Sequence, residues 1–469
     1  LVSAGQRLWQ VLPLSGVGAG NSPYASTSAF AGNLLLVDLG ELQDQGWLEA
    51  TELAPVEGLL EQRVDFAVVR PFRMQRLALA AQRFFAAPLR GESFAQFSRF
   101  CEQQQDWLDD YSLFMALSEA HGPREWCSWS AGLAARDAGA LKVAREQHVQ
   151  RMLFWKFGQW CFFRQWLKLK AYANQRGVEI IGDVPIFIAH DSAEVWAQQG
   201  LFELGIDGRP TVVAGVPPDF FSETGQRWGN PLYRWEVHAR DGYAWWVQRM
   251  RRIFELVDIV RIDHFRGFAG YWEIPASEPT AVKGRWLPGP GAALFKAISQ
   301  ALGPLPIIAE DLGVITPEVL ALRRKFAFPG MRILQFAFDG GSGNTYLPHN
   351  HRPLNVVYTG THDNDTSLGW FESLDEAMRA RVMEYLGAPA EPMPWPLVRA
   401  ALASVARLAV VPLQDLLGLG SRAGAAAARP GGALRPGAGV GTVSSLTCIM
   451  AFGANVHETA PINIPMRRP

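Results

Sequence analysis

A chain of 469 residues is long enough to build one elaborated domain or two, each with a large core. Its 44 Lys and Arg against 45 Asp and Glu exclude the basic surface of a nucleic-acid binder and the acidic excess of a disordered segment. Neither an apolar run of about 18 residues nor a signal-peptide pattern speaks for a membrane span or export, so no membrane partner is expected. The 4 cysteines, Cys101, Cys127, Cys161 and Cys448, are far apart and form no zinc or disulfide pattern, which points to a reducing cytoplasm. The 17 Trp supply flat apolar faces that suit either a core or sugar rings.

In chain order, "RLWQVLPL" reads as a first strand, and about 160 residues rich in helix formers and Trp separate it from "VEIIGDVPIF". That interval is too long for one crossover helix and predicts a helical insertion subdomain over about 40–175. Its last helix, "FWKFGQWCFFRQWLKLKAYANQRG", stops at Gly177. Residues 205–235, rich in Gly, Pro and aromatics, read as an irregular loop and a candidate substrate lid.

The unit then repeats. "YAWWVQRMRRIFELV" leads into "DIVRIDHFRG", and "GAALFKAISQALG" into "PLPIIAEDLG". "TPEVLALRRKF", with Thr316 as N-cap and Pro317 at the first helical position, leads into "MRILQFAFD". "SLDEAMRARVMEYLG" has Ser373 and Glu376 at capping-box spacing and stops at Gly387. "LNVVYTGTHD" and "LAVVPLQDLLGLG" complete the series. Helices alternating with continuous Val/Ile/Leu strands predict an α/β fold with a parallel sheet. Polar residues at the C-terminal ends of several strands favour a (β/α)8 barrel. The absence of a Gly-rich loop after the first strand weakens a dinucleotide-binding sheet.

Four strands end in chemistry: "GDVPIF" in Asp183, "VRIDHFRG" in Arg261, Asp263 and His264, "IIAEDLG" in Glu310, and "YTGTHDND" in His362 and Asp363. Carboxylates converging on one mouth repel unless a cation or a function compensates. Mg²⁺ or Ca²⁺ is the first rival reading, but Arg and His beside the carboxylates disfavour a divalent ion, and no metal or cofactor is expected. Retaining glycoside chemistry fits better, because it needs one ionised carboxylate and one protonated carboxyl. Arg261 and Asp263, two apart on a strand, share a face, so the guanidinium is expected to hold Asp263 ionised. Acidic neighbours are expected to raise Glu310 and keep it a proton donor. Asp311 points the other way and reads as structural.

"GDVPIFIAHDSAEVW", "RIDHFRGF", "AEDLG" and "YTGTHDNDT", in this order, resemble the amylomaltases. These are the 4-α-glucanotransferases of glycoside hydrolase family seventy-seven in the α-amylase clan. "GQRLWQVLPL" and "NSPYASTSAFAGN" are similar to the same family, and the likeness runs over about residues 5–421. The resemblance implies a TIM barrel with Asp263 as nucleophile, Glu310 as acid/base and Asp363 as the carboxylate that distorts the sugar. It places Asp183, Arg261, His264 and His362 along the subsites, Tyr24 as an aromatic platform at the cleavage point, and Asp219 and Trp228 on the acceptor-side loop. From the residues alone, a turn residue packed on the barrel is the lesser alternative for Tyr24, and a loop anchor is an equal alternative for Trp228. His349 and His351 match no motif and read as solvated.

The implied activity is a cytoplasmic hexosyl transfer of starch, glycogen or maltose metabolism. α-1,4-Glucan segments pass between maltooligosaccharides or to glucose through a covalent glycosyl-enzyme. The alternatives are an α-amylase-type hydrolase and an inactive glucan-binding remnant. Two departures from the family stand out. The family has a further strand and helix before "GQRLWQVLPL", so the first barrel strand is expected to be missing here. Residues 422–469, after a catalytic unit 1–421, turn rich in Ala, Gly, Arg and Pro and read as a frame-shifted or low-complexity tail with no strand to offer. "RLWQVLPL" and "LAVVPLQDLL" are then expected to be left with open edges.

Overall fold

The computed structural model describes residues 1–59, 64–86, 91–219 and 222–423, and the backbone of 449–453. Its strands are β1 (Leu8–Gln10), β2 (Glu179–Pro185), β3 (Val212–Val216), β4 (Gln226–Pro231), β5 (Ile259–Asp263) and β6 (Gly270–Pro275). These are followed by β7 (Arg285–Pro288), β8 (Ile307–Ala309), β9 (Gly330–Ile333), β10 (Asn355–Tyr358), β11 (Leu408–Pro412) and β12 (Ile449–Gly453). Eight of them close a barrel in the order β1-β12-β11-β10-β9-β8-β5-β2.

Seven barrel strands run parallel, and their short Val/Ile runs are buried on both sides, as every residue of β10 is. The eighth place is held by β12, which runs antiparallel to both neighbours, pairing Leu8 with Ala451 and Val410 with Ala451. This corrects the expectation that the tail offers no strand and that β1 and β11 are left as edges. Apart from β12 and residues 422–423, the tail 422–469 lies outside the described residues.

Between β1 and β2 the helices Phe66–Ala86, Glu92–Gln103, Gln105–His121, Ala138–Gln147 and Val149–Asn174 pack one another through aromatic side chains. Trp47, Phe84, Phe157 and Trp160 have ring centroids 5.1–5.9 Å apart. Eleven of the 17 Trp are buried, so most of the tryptophan excess is core. Gly177, at φ 73, follows the last of these helices in the left-handed conformation that a helix stop requires.

Residues 205–235 are not an open loop. They carry β3 and β4, which join β6 and β7 in a four-stranded antiparallel sheet ordered β4-β3-β6-β7. β6 follows β5 after the single turn Phe265–Phe268, which ties this sheet to the barrel mouth. Two further details differ from expectation. Asp375, not Ser373, caps Glu376–Tyr385 by accepting from the Met378 N–H at 2.7 Å. His351 is buried, with its ring nitrogens against Ser404 Oγ at 2.7 Å and the Tyr346 carbonyl at 2.9 Å, whereas His349 is exposed. Thr316 and Pro317 stand at the start of Pro317–Lys325 as expected.

Candidate active site

β2 and β5 are in register with Asp183 opposite Arg261 and Pro185 opposite Asp263. The parallel ladder therefore brings the Arg261 side chain to both carboxylates. Its Nη1 donates to Asp183 Oδ1 and Oδ2, each at 2.7 Å, and its Nη2 lies 3.1 Å from Asp263 Oδ1. Nε completes the anchoring with a 3.4 Å contact to Met331 Sδ on β9. A buried guanidinium satisfied on all its edges is fixed in direction as well as charge.

Beyond Asp263 the chain turns through His264, held at φ 52. This strained non-glycine conformation frees the His264 N–H to donate to Glu310 Oε2 at 2.7 Å, while the Leu312 N–H donates to Oε1 at 2.8 Å. Those two bonds favour the ionised Glu310. Burial and the nearby Asp263 charge outweigh them, and the Glu310 carboxyl is pushed up to about 8. Burial is again the largest influence on Asp263, which rises to about 6 although Arg261 pulls it down. Arg261 thus pulls Asp263 towards the ionised form, while desolvation in the barrel mouth, the larger influence, opposes it.

Tyr24 reaches the same cluster from the loop after β1. Its hydroxyl donates to Asp183 Oδ2 at 2.7 Å and meets His362 Nε2 at 2.7 Å, and its ring stacks on His362 with centroids 5.5 Å apart and planes 10° off parallel. His362 Nε2 is also 3.4 Å from Asp363 Oδ2, whose carboxylate is 63% exposed and faces open space. Tyr24, Asp183, Arg261, Asp263, His362 and Asp363 are therefore one connected network. Trp228 on β4 stands edge-on to His264 at 4.7 Å, and His264 Nε2 is buried with no hydrogen-bond partner among the described residues. Burial lowers the His264 ring to about 3, so it is neutral. Asp219 is exposed ahead of β4 and accepts from the Ser222 N–H at 2.9 Å.

Asp311 is structural, as expected. It accepts from the Met331 N–H at 2.7 Å and lies 3.5 Å from Arg323 and 3.6 Å from Arg332. Gly330 makes room for it, because a Cβ there would come within 2.5 Å of Asp311 Oδ2. Two positioning residues carried no sequence signal of their own. Glu194 accepts from Ser28 Oγ at 2.6 Å and the Ala29 N–H at 3.0 Å, pinning the loop that bears Tyr24. Arg249 donates to the Pro185 carbonyl at 2.6 Å and the Ile186 carbonyl at 3.0 Å, fixing the end of β2. Among the described residues no group of three His, Cys, Asp or Glu is placed to hold a metal ion.

A buried acid that keeps its proton at neutral pH, next to a carboxylate that loses its own earlier, is the pairing that acid-assisted nucleophilic displacement requires. The family described as 4-alpha-glucanotransferase, glycoside hydrolase family 77, matches residues 1–433. The chain is 51% identical over 433 residues to the 4-alpha-glucanotransferase of Thermus thermophilus, covering 90% of this chain and 85% of that one. It is 48% identical to the enzyme of that name from Synechocystis sp., covering 90% and 84%. The solved amylomaltase from Streptococcus agalactiae in complex with acarbose superposes with a TM-score of 0.87 at 37% identity, covering 90% of this chain and 86% of that one. On the fold and these likenesses, the chain belongs to the 4-alpha-glucanotransferase family and is a (β/α)-barrel transferase of that activity.

Proposed function

We propose that the reaction is a two-step displacement on α-1,4-glucans with Asp263 as nucleophile and Glu310 as acid/base. In the first step an Asp263 carboxylate oxygen attacks the anomeric carbon. The bond from that carbon to the leaving 4-oxygen breaks, and the oxygen takes the Glu310 proton. In the second step the 4-hydroxyl of an acceptor, a maltooligosaccharide or glucose, gives its proton to Glu310 and displaces Asp263, so the configuration is retained. The observation that carries this reading is the placement of the two carboxyls: Asp263 lies 3.1 Å from the Arg261 guanidinium, while the buried Glu310, held by the His264 and Leu312 N–H groups, is pushed well above the usual carboxylate range by burial and the Asp263 charge.

Asp363, exposed beside His362, is suited to accept hydroxyls of the sugar at the cleavage point. Asp183, Arg261 and Tyr24 hold the pocket in shape, and His264, Trp228 and Asp219 line the acceptor side. Residues 1–421 act as the catalytic unit, with the helices of about 40–175 an insertion and the segment 205–235 a lid. A cytoplasmic setting is supported by Cys101, Cys127 and Cys161 being free thiols, and no described helix is long and apolar enough to cross a membrane.

The test uses Glu310→Gln with an α-maltotriosyl fluoride donor, whose leaving group needs no acid. A covalent sugar on Asp263, found by peptide mass, is the expected result, and a sugar on another carboxylate overturns the assignment. With maltotriose the unmodified chain is expected to give a ladder of longer and shorter products at constant total reducing ends. Reducing ends that rise with each cleavage would support hydrolysis instead.

A further inference from the structure

Of the 17 tryptophans only Trp286, at 42%, and Trp395, at 45%, are exposed. A single exposed aromatic needs no explanation. Trp286 is distinguished by how firmly it is mounted and by what it is mounted on. It sits on β7, the edge strand of the mouth sheet, in register with Trp272, and the two rings meet at 5.2 Å and 64°. Trp272 is itself locked, its Nε1 donating to the Ala281 carbonyl at 3.0 Å. The guanidinium of Arg266 lies 3.9 Å from the Trp286 ring centroid. Arg266 is buried, and its Nη1 donates to the Val314 carbonyl at 2.6 Å.

This mounting joins Trp286 to both reacting carboxyls. Arg266 lies three residues beyond Asp263, Val314 lies four beyond Glu310, and the Glu310 charge acts on the Arg266 guanidinium. The departing oxygen takes its proton from Glu310, so the sugars beyond that bond, and the acceptor that replaces them, lie on the Glu310 side. A rigid indole whose one face is covered by a cation and which still exposes two-fifths of its surface is a flat apolar shelf at the rim of that side. Glucosyl rings present a matching C–H face, and a neutral glucan brings no charge to compete with Arg266.

We infer that Trp286 is a binding platform for a glucosyl unit of the acceptor chain, several sugars away from the reacting bond, and that it gives the enzyme a preference for long acceptors. This rests on Glu310 being the acid/base. The occupant is a stretch of the α-glucan itself, because the platform continues from the segments that carry the reacting carboxyls.

The test uses the full chain with α-maltotriosyl fluoride as donor and either glucose or maltohexaose as acceptor. Trp286→Ala is expected to raise the apparent KM for maltohexaose roughly three- to tenfold, the range of one aromatic stacking contact. The glucose KM, kcat and the pH profile should stay within about twofold of the parent. Trp286→Phe should fall between the two. Trp286→Leu, which still covers Arg266 but offers no flat face, should behave as Trp286→Ala and serves where the alanine variant loses stability. Unchanged acceptor-length dependence in Trp286→Leu overturns the inference. So does an equal loss with glucose and maltohexaose accompanied by a shifted pH profile, which would mark Trp286 as a prop for Arg266. A wrong assignment of Glu310 shows differently, as alkaline-limb behaviour in Glu310→Gln that matches the parent at every acceptor length.

Discussion

Arg261 Nη1 donates to both oxygens of Asp183 at 2.7 Å, a closer and more symmetric pairing than the 3.1 Å approach of Nη2 to Asp263 Oδ1. Asp183 is thus the main counter-ion, and Asp263 receives what remains of the charge. Lysine cannot serve two carboxylates on adjacent strands from one planar fork. Arg261→Lys is expected to lower kcat for maltotriose disproportionation by about 10²-fold or more through misplaced carboxylates. It should also lower the melting temperature, because part of a buried pair is left unmatched. Activity within a few-fold of the parent would show that position 261 supplies charge alone.

The pH profile of kcat/KM should be bell-shaped. Asp263 must be ionised to attack, so activity falls as the pH drops through about 6. Glu310 must be protonated to donate, so activity falls as the pH rises through about 8. Both limbs belong to the interacting pair rather than to either residue alone. In Glu310→Gln, assayed with a glycosyl fluoride donor, the alkaline limb of the first step should vanish. A parent profile that stays flat across both values contradicts the pairing.

Trp228 stands edge-on to His264 at 4.7 Å, with Phe187 behind it at 6.3 Å. An acceptor sugar needs an apolar face to hold it in line with the glycosyl-enzyme, and water does not. Trp228→Ala should raise the ratio of hydrolysis to transfer roughly tenfold, measured as reducing ends released per ladder product from maltotriose. An unchanged ratio leaves Trp228 as an anchor between the sheet and the barrel.

The antiparallel β12 carries ladders on both sides, to β1 and to β11. A chain ending at residue 423 loses both and exposes two apolar strand edges. Such a chain is expected to melt several degrees lower and to scatter light on heating, since edge pairing between molecules replaces the lost ladders. Equal melting and equal solubility would mean that β12 adds nothing to barrel closure.

The site carboxylates were legible in the sequence because barrel chemistry gathers at strand ends, and strand ends are marked by apolar runs that stop in charge. The two-residue spacing of Arg261 and Asp263 was enough to put them on one face. It could not show that Arg261 turns chiefly to Asp183, because that depends on the β2/β5 register, a pairing across 78 residues of chain that leaves no local trace. The same limit explains residues 205–235. Their Gly and Pro content read as loop, and the later strand that holds them, β6, pairs with β3 across 57 and more residues of chain, Gly215 with Trp272 and Val212 with Pro275. Composition likewise spoke against a strand in the tail, yet the neighbouring edges of β1 and β11 recruit five of its residues, Ile449–Gly453, because an unpaired backbone between two strands is satisfied by any chain that can reach it. Desolvation was also invisible in one dimension: the high values of Glu310 and Asp263 come first from burial, and burial is a property of the closed mouth rather than of any motif. Periodicity and residue type thus determined the parallel strands, their helices and the charged residues that gather at the strand ends. Register, closure and dielectric, which arise only when distant segments meet, decided how those groups are paired, oriented and charged.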